Sequence, residues 1–229
     1  MGFMPRLARI VIPGCAHHVT QRGNNRQDVF FVDDDRRLYL RLLAEQCQAH
    51  ALDVLAYCLM VNHVHLIVIP RHEQSLAKGF GRTNFVYAQA ANRLHGRSGH
   101  LWQNRFYSCS LDGEHFWRAM QYVERNPVRA RLVRQAWRYP WSSAAAHCGK
   151  TADETGLLNV KWWADKSRGW DWPACLQQPQ DDSEVAALRL ATHRGRPLGT
   201  DSFVSKLEKL VGRRLRPLPV GRPRKKNAK

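Results

Sequence analysis

Residues 54–69, VLAYCLMVNHVHLIVI, form two apolar runs that are separated by the dipeptide Val61-Asn62. Each run has the length of a β-strand, and a connection of two residues is long enough only for a tight turn. The stretch therefore predicts an antiparallel hairpin with strands at Val54–Met60 and His63–Ile69.

Further elements are predicted on both sides of this hairpin. A short strand over 18–22 precedes a helix over 33–50, in which Asp33 to Asp35 supply the N-cap and an acidic first turn. After the hairpin, a helix capped by Ser75 extends to about Gly96, a strand covers 101–111, and Asp112 caps a third helix that Pro127 ends. This is the ferredoxin-like order with an added helix, which predicts an α+β fold with an antiparallel sheet.

The remaining sequence divides into a connector and an extension. Residues 151–180 lose helical periodicity but contain four tryptophans, so we expect an ordered connector between a first domain over 1–150 and an extension over 181–229. In the extension, helices are predicted over 182–192 and 202–211, the second capped by Asp201 or Ser202. The stretch from Arg213 onwards is rich in Pro, Arg and Lys and is expected to be mobile.

The charge of the chain favours a polyanionic partner. The sequence has 36 Lys and Arg against 19 Asp and Glu, a formal net charge of +17 at pH 7. Nucleic acid is the first candidate, and the basic C-terminal end would add salt-dependent affinity that ignores base sequence. No apolar run approaches the roughly 20 residues needed to cross a bilayer, so no membrane association is predicted.

Composition also excludes several kinds of site. The six cysteines have no C-x-x-C spacing, which argues against a zinc knuckle or a disulfide framework and favours a reducing cytoplasm. The start of the chain has no signal-peptide core, which agrees with a cytoplasmic location. No glycine-rich phosphate loop is present, so no nucleotide cofactor is expected.

The strongest candidates for chemistry lie on the second hairpin strand and the third helix. His63 and His65 are two residues apart, so a strand places both imidazoles on one face while Val64 points into the core. On the third helix, Tyr122 and Asn126 are four residues apart and share a face. Each pair has an ordinary structural explanation, as exposed strand histidines or as a core tyrosine beside a capping asparagine.

Considered together, these residues suit the cleavage of a phosphodiester. A phenol attacks a phosphate poorly unless a cation neutralises the phosphate charge, and Mg²⁺ or Mn²⁺ would do so. Two neutral imidazoles with an amide oxygen leave positions open for phosphate oxygens and water. Attack by Tyr122 would join the tyrosine to the 5′ end of the DNA and release a 3′ hydroxyl.

Several stretches of the chain resemble the REP-associated tyrosine transposases, a branch of the single-tyrosine HUH transposases. They are HVTQRG at 18–23, CLMVNHVH at 58–65, GHLWQNRF at 99–106, YVERNPVRA at 122–130, WSS at 141–143, GRPLG at 195–199 and GRP at 221–223. Two positions depart from the family pattern, Val61 where proline is more frequent and His17 where an aromatic is common.

The resemblance implies roles for individual residues and a substrate class. It implies that His63 and His65 bind the metal, that Tyr122 is the nucleophile and that Asn126 is the third ligand. It also implies a monomeric bacterial, nucleoid-associated enzyme, with a HUH nuclease domain, that cuts and rejoins single-stranded DNA beside hairpins formed by repetitive extragenic palindromes.

Contacts with DNA are predicted for residues near these motifs. Arg22, Arg105 and Arg129 could hold phosphates or could be solvated surface arginines. Trp102 could stack on unpaired bases, as could Phe106 and Tyr107, although core packing is expected for at least two of these three rings. The RGRP sequence at 194–197 is interpreted as a loop between helices rather than a minor-groove hook.

Three other functions are compatible with parts of this pattern. A non-catalytic DNA-binding regulator would share the fold and the basic tail but would never form a covalent adduct. A relaxase or rolling-circle nickase would require a further ligand histidine near the pair. A metal hydrolase with His-x-His on a barrel strand is disfavoured, because only about four strands and no βα repeat are visible.

Overall fold

The sheet of the protein has four antiparallel strands in the order β2-β3-β1-β4. A computed structural model describes residues 9–216. The strands are β1 (His17–Arg22), β2 (Leu52–Met60), β3 (His63–Pro70) and β4 (Tyr107–Ser110). This is the ferredoxin-like arrangement, so the α+β class and the antiparallel sheet predicted from the sequence are confirmed.

Helices occupy both faces of the sheet. They are α1 (Asp33–Ala49), α2 (Arg82–Leu94), α3 (Gly113–Glu124), α4 (Asn126–Arg129), α5 (Ala144–His147), α6 (Val160–Lys166), α7 (Trp172–Gln177), α8 (Asp182–Arg194) and α9 (Asp201–Val211). A π-helical turn over Ala77–Gly81 leads into α2, and 3-10 turns lie at Asn24–Arg26 and Ala136–Arg138. The tail predicted to be mobile from Arg213 is packed at its start, since Leu215 is buried and its nitrogen donates to Glu208, and the rest, with the GRP motif at 221–223, lies outside the described residues.

The hairpin of β2 and β3 forms as predicted, with Met60 opposite His63. Alternation along β3 sends Val64, Leu66 and Val68 into the core beneath α1 and α2. The residues between them face the opposite side, where Ile67 joins the core beneath α3. One strand therefore supplies both faces of the sheet.

The face beneath α1 and α2 is a closed aromatic core. Tyr39 and Tyr87 are fully buried, with ring centroids 5.1 Å apart. Each phenol donates a hydrogen bond, Tyr39 to Asn84 Oδ1 at 2.8 Å and Tyr87 to the Val29 carbonyl at 2.6 Å. Burial of these rings is favourable because their polar ends keep a partner.

The second face is covered by α3 and by helices from the later part of the chain. Trp172 of α7 is buried there and donates from its indole nitrogen to the fully buried carboxylate of Glu124, at 2.8 Å. Ser143 and His147 also hydrogen-bond to this side chain, so the buried polar atoms of Glu124 have partners. These contacts fix the C-terminal end of α3. The division of the chain at residues 150 and 180 stays a prediction.

The segment that joins α8 to α9 extends the edge of the sheet. Leu198 forms a parallel bridge with Leu111, next to β4. The RGRP sequence is therefore part of an interhelix connection, in agreement with its interpretation from the sequence. Val204 and Leu207 of α9 pack on Ile10 and Ile12, so the two ends of the described chain meet.

The strand predicted over 101–111 is wrong in its first half, because β4 begins at Tyr107. Gln103 instead donates to the Arg22 carbonyl, and Trp102 forms an isolated bridge with Gly23. A positive φ of 55° at Asn104 then turns the chain away from strand geometry.

Three predicted N-caps are also wrong. Helix α1 has Val32 at its N-cap, and the Asp35 carboxylate accepts from the backbone nitrogens of Phe31 and Val32. Ser75 accepts from the nitrogen of His72 rather than capping a helix. Helix α9 is capped by Thr200. By contrast, Asp112 caps α3 as predicted, accepting from the His115 nitrogen at 2.9 Å.

Candidate active site

A cleft of about 710 Å³ lies on the α3 side of the sheet, between β1, β3, α3, α4 and α8. Among the described residues its lining contains no aspartate or glutamate, but it contains four arginines and four histidines, which are Arg22, Arg26, Arg129, Arg189, His18, His63, His65 and His193. An electropositive cavity of this kind favours phosphate groups.

The predicted tyrosine and histidines meet in this cleft. The ring centroids of His63 and His65 are 5.0 Å apart, and the ring of Tyr122 lies 5.4 Å from that of His65. Strand β3 and helix α3 therefore present the phenol and the imidazoles on the same side of the sheet.

The tautomer of His63 follows from its neighbour. His63 Nδ1 lies 2.6 Å from the side-chain oxygen of Asn62, whose amide nitrogen donates to the Arg26 carbonyl. The Asn62 oxygen is thus the acceptor and Nδ1 carries the proton. Nε2 of His63 keeps a free lone pair.

A longer hydrogen-bond chain fixes His65. The hydroxyl of Thr192 donates to the Leu188 carbonyl, so its oxygen accepts from His18 Nδ1 at 2.7 Å. Nε2 of His18 then accepts from Nδ1 of His65 at 2.9 Å. This order leaves Nε2 of His65 unprotonated as well, and a histidine that binds metal is commonly oriented in this way by its second nitrogen.

All three imidazoles are held in the neutral form. Burial lowers the pKa of His63 to about 4, and the nearby charges of Arg22, Arg129 and Arg189 act in the same direction. Burial also lowers the pKa of His18 to about 3, with Arg129 contributing. The pKa of His65 is well below its usual range, first because of burial and then because of the neighbouring histidines and arginines. Neutral rings are the form that binds a cation.

Tyr122 lies between two guanidinium groups. Its side chain is 3% exposed, and Nε of Arg189 donates to its phenol oxygen at 3.2 Å. The guanidinium of Arg129 stacks on the face of its ring, 4.2 Å from the centroid. One guanidinium group therefore contacts the oxygen of Tyr122 and the other contacts its ring face.

Asn126 is buried at the start of α4. Its amide nitrogen donates to the carbonyls of Tyr122 and Val123 at 3.2 and 3.4 Å, which caps the end of α3. Its oxygen accepts from Arg129 at 2.6 Å and retains a second lone pair. Asn126 is therefore a cap, and its oxygen faces away from the helix end.

The donor set fits a divalent ion with open coordination positions. Within residues 9–216, no group of three His, Cys, Asp or Glu side chains is placed to hold a metal. His63 and His65 instead supply two nitrogen lone pairs, and Asn126 supplies a neutral oxygen. Such neutral, incomplete sets suit Mg²⁺ or Mn²⁺, which keep water or phosphate oxygens as further ligands.

The predicted DNA-binding residues are distributed over three places. Arg22 and Arg129 line the cleft, and Arg105 lines an adjoining groove of about 370 Å³. Trp102 lies in the closed core, where its indole donates to the Asn84 carbonyl. Tyr107 lines both cavities.

Helix α8 supplies cleft residues that sequence reasoning missed. Arg189, Thr192 and His193 follow helical spacing, and the ring of His193 stacks on that of Tyr107 with centroids 4.8 Å apart. An arginine on a helix gives no local signal, because most are solvated. His18 lies within the HVTQRG stretch, but nothing in the sequence links it to residue 192.

Three comparisons relate the chain to known proteins. The model of a family described as IS200-like transposases matches residues 11–126. The fold is similar to a solved REP-associated tyrosine transposase bound to a REP hairpin, with a TM-score of 0.52 and 18% identity, over 69% of this chain and 91% of that chain. A candidate transposase from Deinococcus radiodurans R1 has a TM-score of 0.37 and 19% identity, over 52% and 95% of the two chains. No curated protein matches.

The matched segment contains most of the candidate chemical groups. Tyr122 and Asn126 lie inside the matched segment, as do both β3 histidines, whereas α8 lies beyond it. Within the part of the chain that the structure describes, no helix is long and apolar enough to cross a membrane.

Proposed function

The chain belongs to the IS200-like transposase family, and from this premise we propose that it is a metal-dependent strand transferase acting on single-stranded DNA beside repeat hairpins. The family match confirms the predicted membership of the transposases, and the similar fold of a solved REP-associated tyrosine transposase supports the narrower relationship. The observation that carries the proposal is the meeting of Tyr122 with His63 and His65 in one electropositive cleft.

In the proposed reaction, Tyr122 attacks the phosphorus of a phosphodiester. Its oxygen forms a new ester to the 5′ side of the break, and the 3′ oxygen leaves as a hydroxyl. Held by His63, His65 and Asn126, Mg²⁺ or Mn²⁺ would neutralise the phosphate charge that otherwise repels the nucleophile. Because one phosphoester replaces another, the reverse attack by a 3′ hydroxyl rejoins DNA, and no nucleotide cofactor is required.

Arginines of the cleft are suited to hold the DNA backbone. Arg22 and Arg129 lie beside the candidate metal ligands, and the absence of acidic side chains from the described lining leaves phosphate unopposed. The adjoining groove, lined by Arg105, would continue this track. Tyr107 stacked on His193 offers an aromatic platform for an unpaired base, a role that the buried Trp102 is not placed to fill.

All residues proposed for the reaction lie in one chain. Helix α3, which carries Tyr122, packs on strands β2 and β3 of its own sheet. A second copy is not needed to bring the nucleophile to the histidines, which supports a monomer as the functional unit.

The arrangement of His18 argues against a relaxase-like site with three histidine ligands. His18 stacks on His65, but both of its ring nitrogens are already engaged, one with Thr192 and one with His65. It is thus placed as a support for a ligand and not as a ligand itself.

A labelled single strand that bears a hairpin, incubated with the protein and Mn²⁺, tests the proposal. We expect an adduct that survives denaturation and disappears in Tyr122→Phe. Tyr57→Phe is the matched control, because it removes one hydroxyl from a buried tyrosine outside the cleft and should leave the adduct intact.

Because the target repeat is not known, the test uses a panel of different repeat hairpins. Hairpin binding without an adduct in any member of the panel would contradict strand transfer. It would favour the non-catalytic DNA-binding regulator instead.

A further inference from the structure

We propose that Arg189 of α8 is a catalytic residue that stabilises negative charge on the oxygen of Tyr122. The inference rests on the proposed function, since it assigns a role at the proposed nucleophile. It concerns a helix that lies outside the segment matched by the transposase family.

The two arginines around Tyr122 contact different parts of it. The guanidinium carbon of Arg129 lies 4.2 Å from the ring centroid, over the face of the ring. The guanidinium carbon of Arg189 lies 5.7 Å from the centroid, and its Nε donates to the phenol oxygen at 3.2 Å. Arg189 therefore touches the atom that would form and break the bond to phosphorus.

The helix that carries Arg189 is anchored on both sides of this residue. Val185 and Leu188 are buried against the core beneath α3, and Thr192 hydrogen-bonds to His18. Asp181 caps the start of α8, and Gly195, in a left-handed conformation, ends it. The backbone of Arg189 is therefore held in place before the reaction, which favours electrostatic stabilisation by its side chain.

Arg189 is exposed, although its Nε reaches the buried phenol. The remaining N–H groups of the guanidinium can therefore contact a phosphate that enters the cleft. A guanidinium donates hydrogen bonds and does not accept a proton, so Arg189 cannot be the general base.

Arg189 would assist the attack of Tyr122 on phosphorus. In this step the phenol loses its proton to water, the bond from the Tyr122 oxygen to phosphorus forms, and the bond from phosphorus to the 3′ oxygen breaks. The departing 3′ oxygen takes a proton from water. In rejoining, the Tyr122 oxygen is the leaving group, so the same Nε–H group stabilises it in both directions.

The test measures the rate of adduct formation and the affinity for the same hairpin DNA. Arg189→Ala should slow the adduct by about 10²- to 10³-fold, the usual effect of removing one donor from a developing oxyanion. Hairpin affinity should fall much less. Arg41→Ala is the matched control, because it removes an exposed arginine from α1 outside the cleft and should keep the wild-type rate.

Chemical rescue separates a catalytic role from a merely structural one. Added ethylguanidinium should restore part of the rate of Arg189→Ala and should have no effect on Tyr122→Phe. If circular dichroism shows that Arg189→Ala does not fold, Arg189→Lys replaces it. Lysine keeps the charge but lacks the planar donor, and it should slow the adduct without weakening hairpin binding.

The outcomes distinguish this inference from the proposed function. A wild-type adduct together with an unaltered rate in Arg189→Ala would overturn the role of Arg189 and leave strand transfer standing. A slower rate that follows entirely from weaker DNA binding would overturn it as well. Absence of any wild-type adduct would remove both.

Discussion

Strands β1 and β3 each turn one face to the closed core beneath α1 and α2 and the other face towards α3, where part of it lines the cleft. On the closed face, Val19, Val64 and Leu66 are fully buried beneath α1 and α2. On the open face, the alternate residues include His63 and His65, which line the cleft. The two-residue period of a strand allows one segment to stabilise the fold and to present chemical groups.

Hydrogen bonding differs between the faces in the same way. On the closed face, the phenols of Tyr39 and Tyr87 each have a partner. On the open face, His63 and His65 are hydrogen-bonded through Nδ1, and within residues 9–216 Nε2 of neither ring has a hydrogen-bond partner. Oriented lone pairs left without a protein partner are what a metal site requires.

The largest effect is expected from a substitution of His65, which lies on the open face of β3 next to Leu66 on the closed face. His65→Ala removes a proposed ligand, so Mn²⁺ affinity measured by calorimetry should fall by more than about 100-fold, beyond the usual effect of losing a supporting residue. The covalent adduct should disappear with it. Unchanged Mn²⁺ binding would show that the open face is not a metal site.

Leu66→Ala tests the neighbouring residue on the closed face. Leu66 is fully buried, so its truncation should lower the free energy of unfolding in urea by about 2–5 kcal/mol. Mn²⁺ affinity of the folded protein should stay at the wild-type value. A large loss of metal affinity here would mean that the two faces are not independent.

His18→Phe tests the support of His65. The substitution keeps an aromatic ring but removes the acceptor for His65 Nδ1, so Mn²⁺ affinity should fall by about 10- to 100-fold. His17→Phe is the control, since His17 is bonded to Cys15 and Ile12 and does not line the cleft. Equal effects of the two substitutions would argue against the chain from Thr192 to His65.

The smallest expected effect concerns Asp35, in the first turn of α1, whose carboxylate accepts from the backbone nitrogens that precede the helix. Burial of the carboxylate opposes ionisation, but hydrogen bonds from His95, Phe31 and Val32 outweigh it and lower the pKa of Asp35 below its ordinary 3.8. Asp35→Ala should therefore destabilise the fold by about 1 kcal/mol at pH 7.

This cost should depend on pH in a defined direction. A lowered folded pKa means that the ionised carboxylate stabilises the fold above pH 3.8 and that this contribution is lost as the pH falls through the folded value. Urea unfolding of wild type and Asp35→Ala should thus give curves that converge in acid. A difference that persists there would point to packing rather than to charge.

Local sequence was sufficient for the elements with a strong period. The hairpin, the α1 and α3 helices and the Asp112 cap each depend on residues within a few positions of one another. The same holds for His63 and His65 on one face of a strand. Periodicity and capping are short-range effects, and one sequence records them directly.

Prediction was less successful where the chain leaves regular structure. The strand over 101–111 is only half a strand, because hydrogen bonds from Gln103 to β1 and a left-handed Asn104 override its apolar pattern. Trp102 was considered for base stacking, but its burial beside Tyr39 and Tyr87 follows from helices α1 and α2. Packing between distant elements settled both positions.

The sequence by itself determined a β3 strand with two histidines on one face and an α3 helix that carries a tyrosine. Tertiary structure added α8, which brings Arg189 to Tyr122 across 67 positions and Thr192 to His18 across 174 positions. Periodicity fixes the direction of a side chain within its own element. The partner that it meets depends on how separate elements pack, and no local pattern records that.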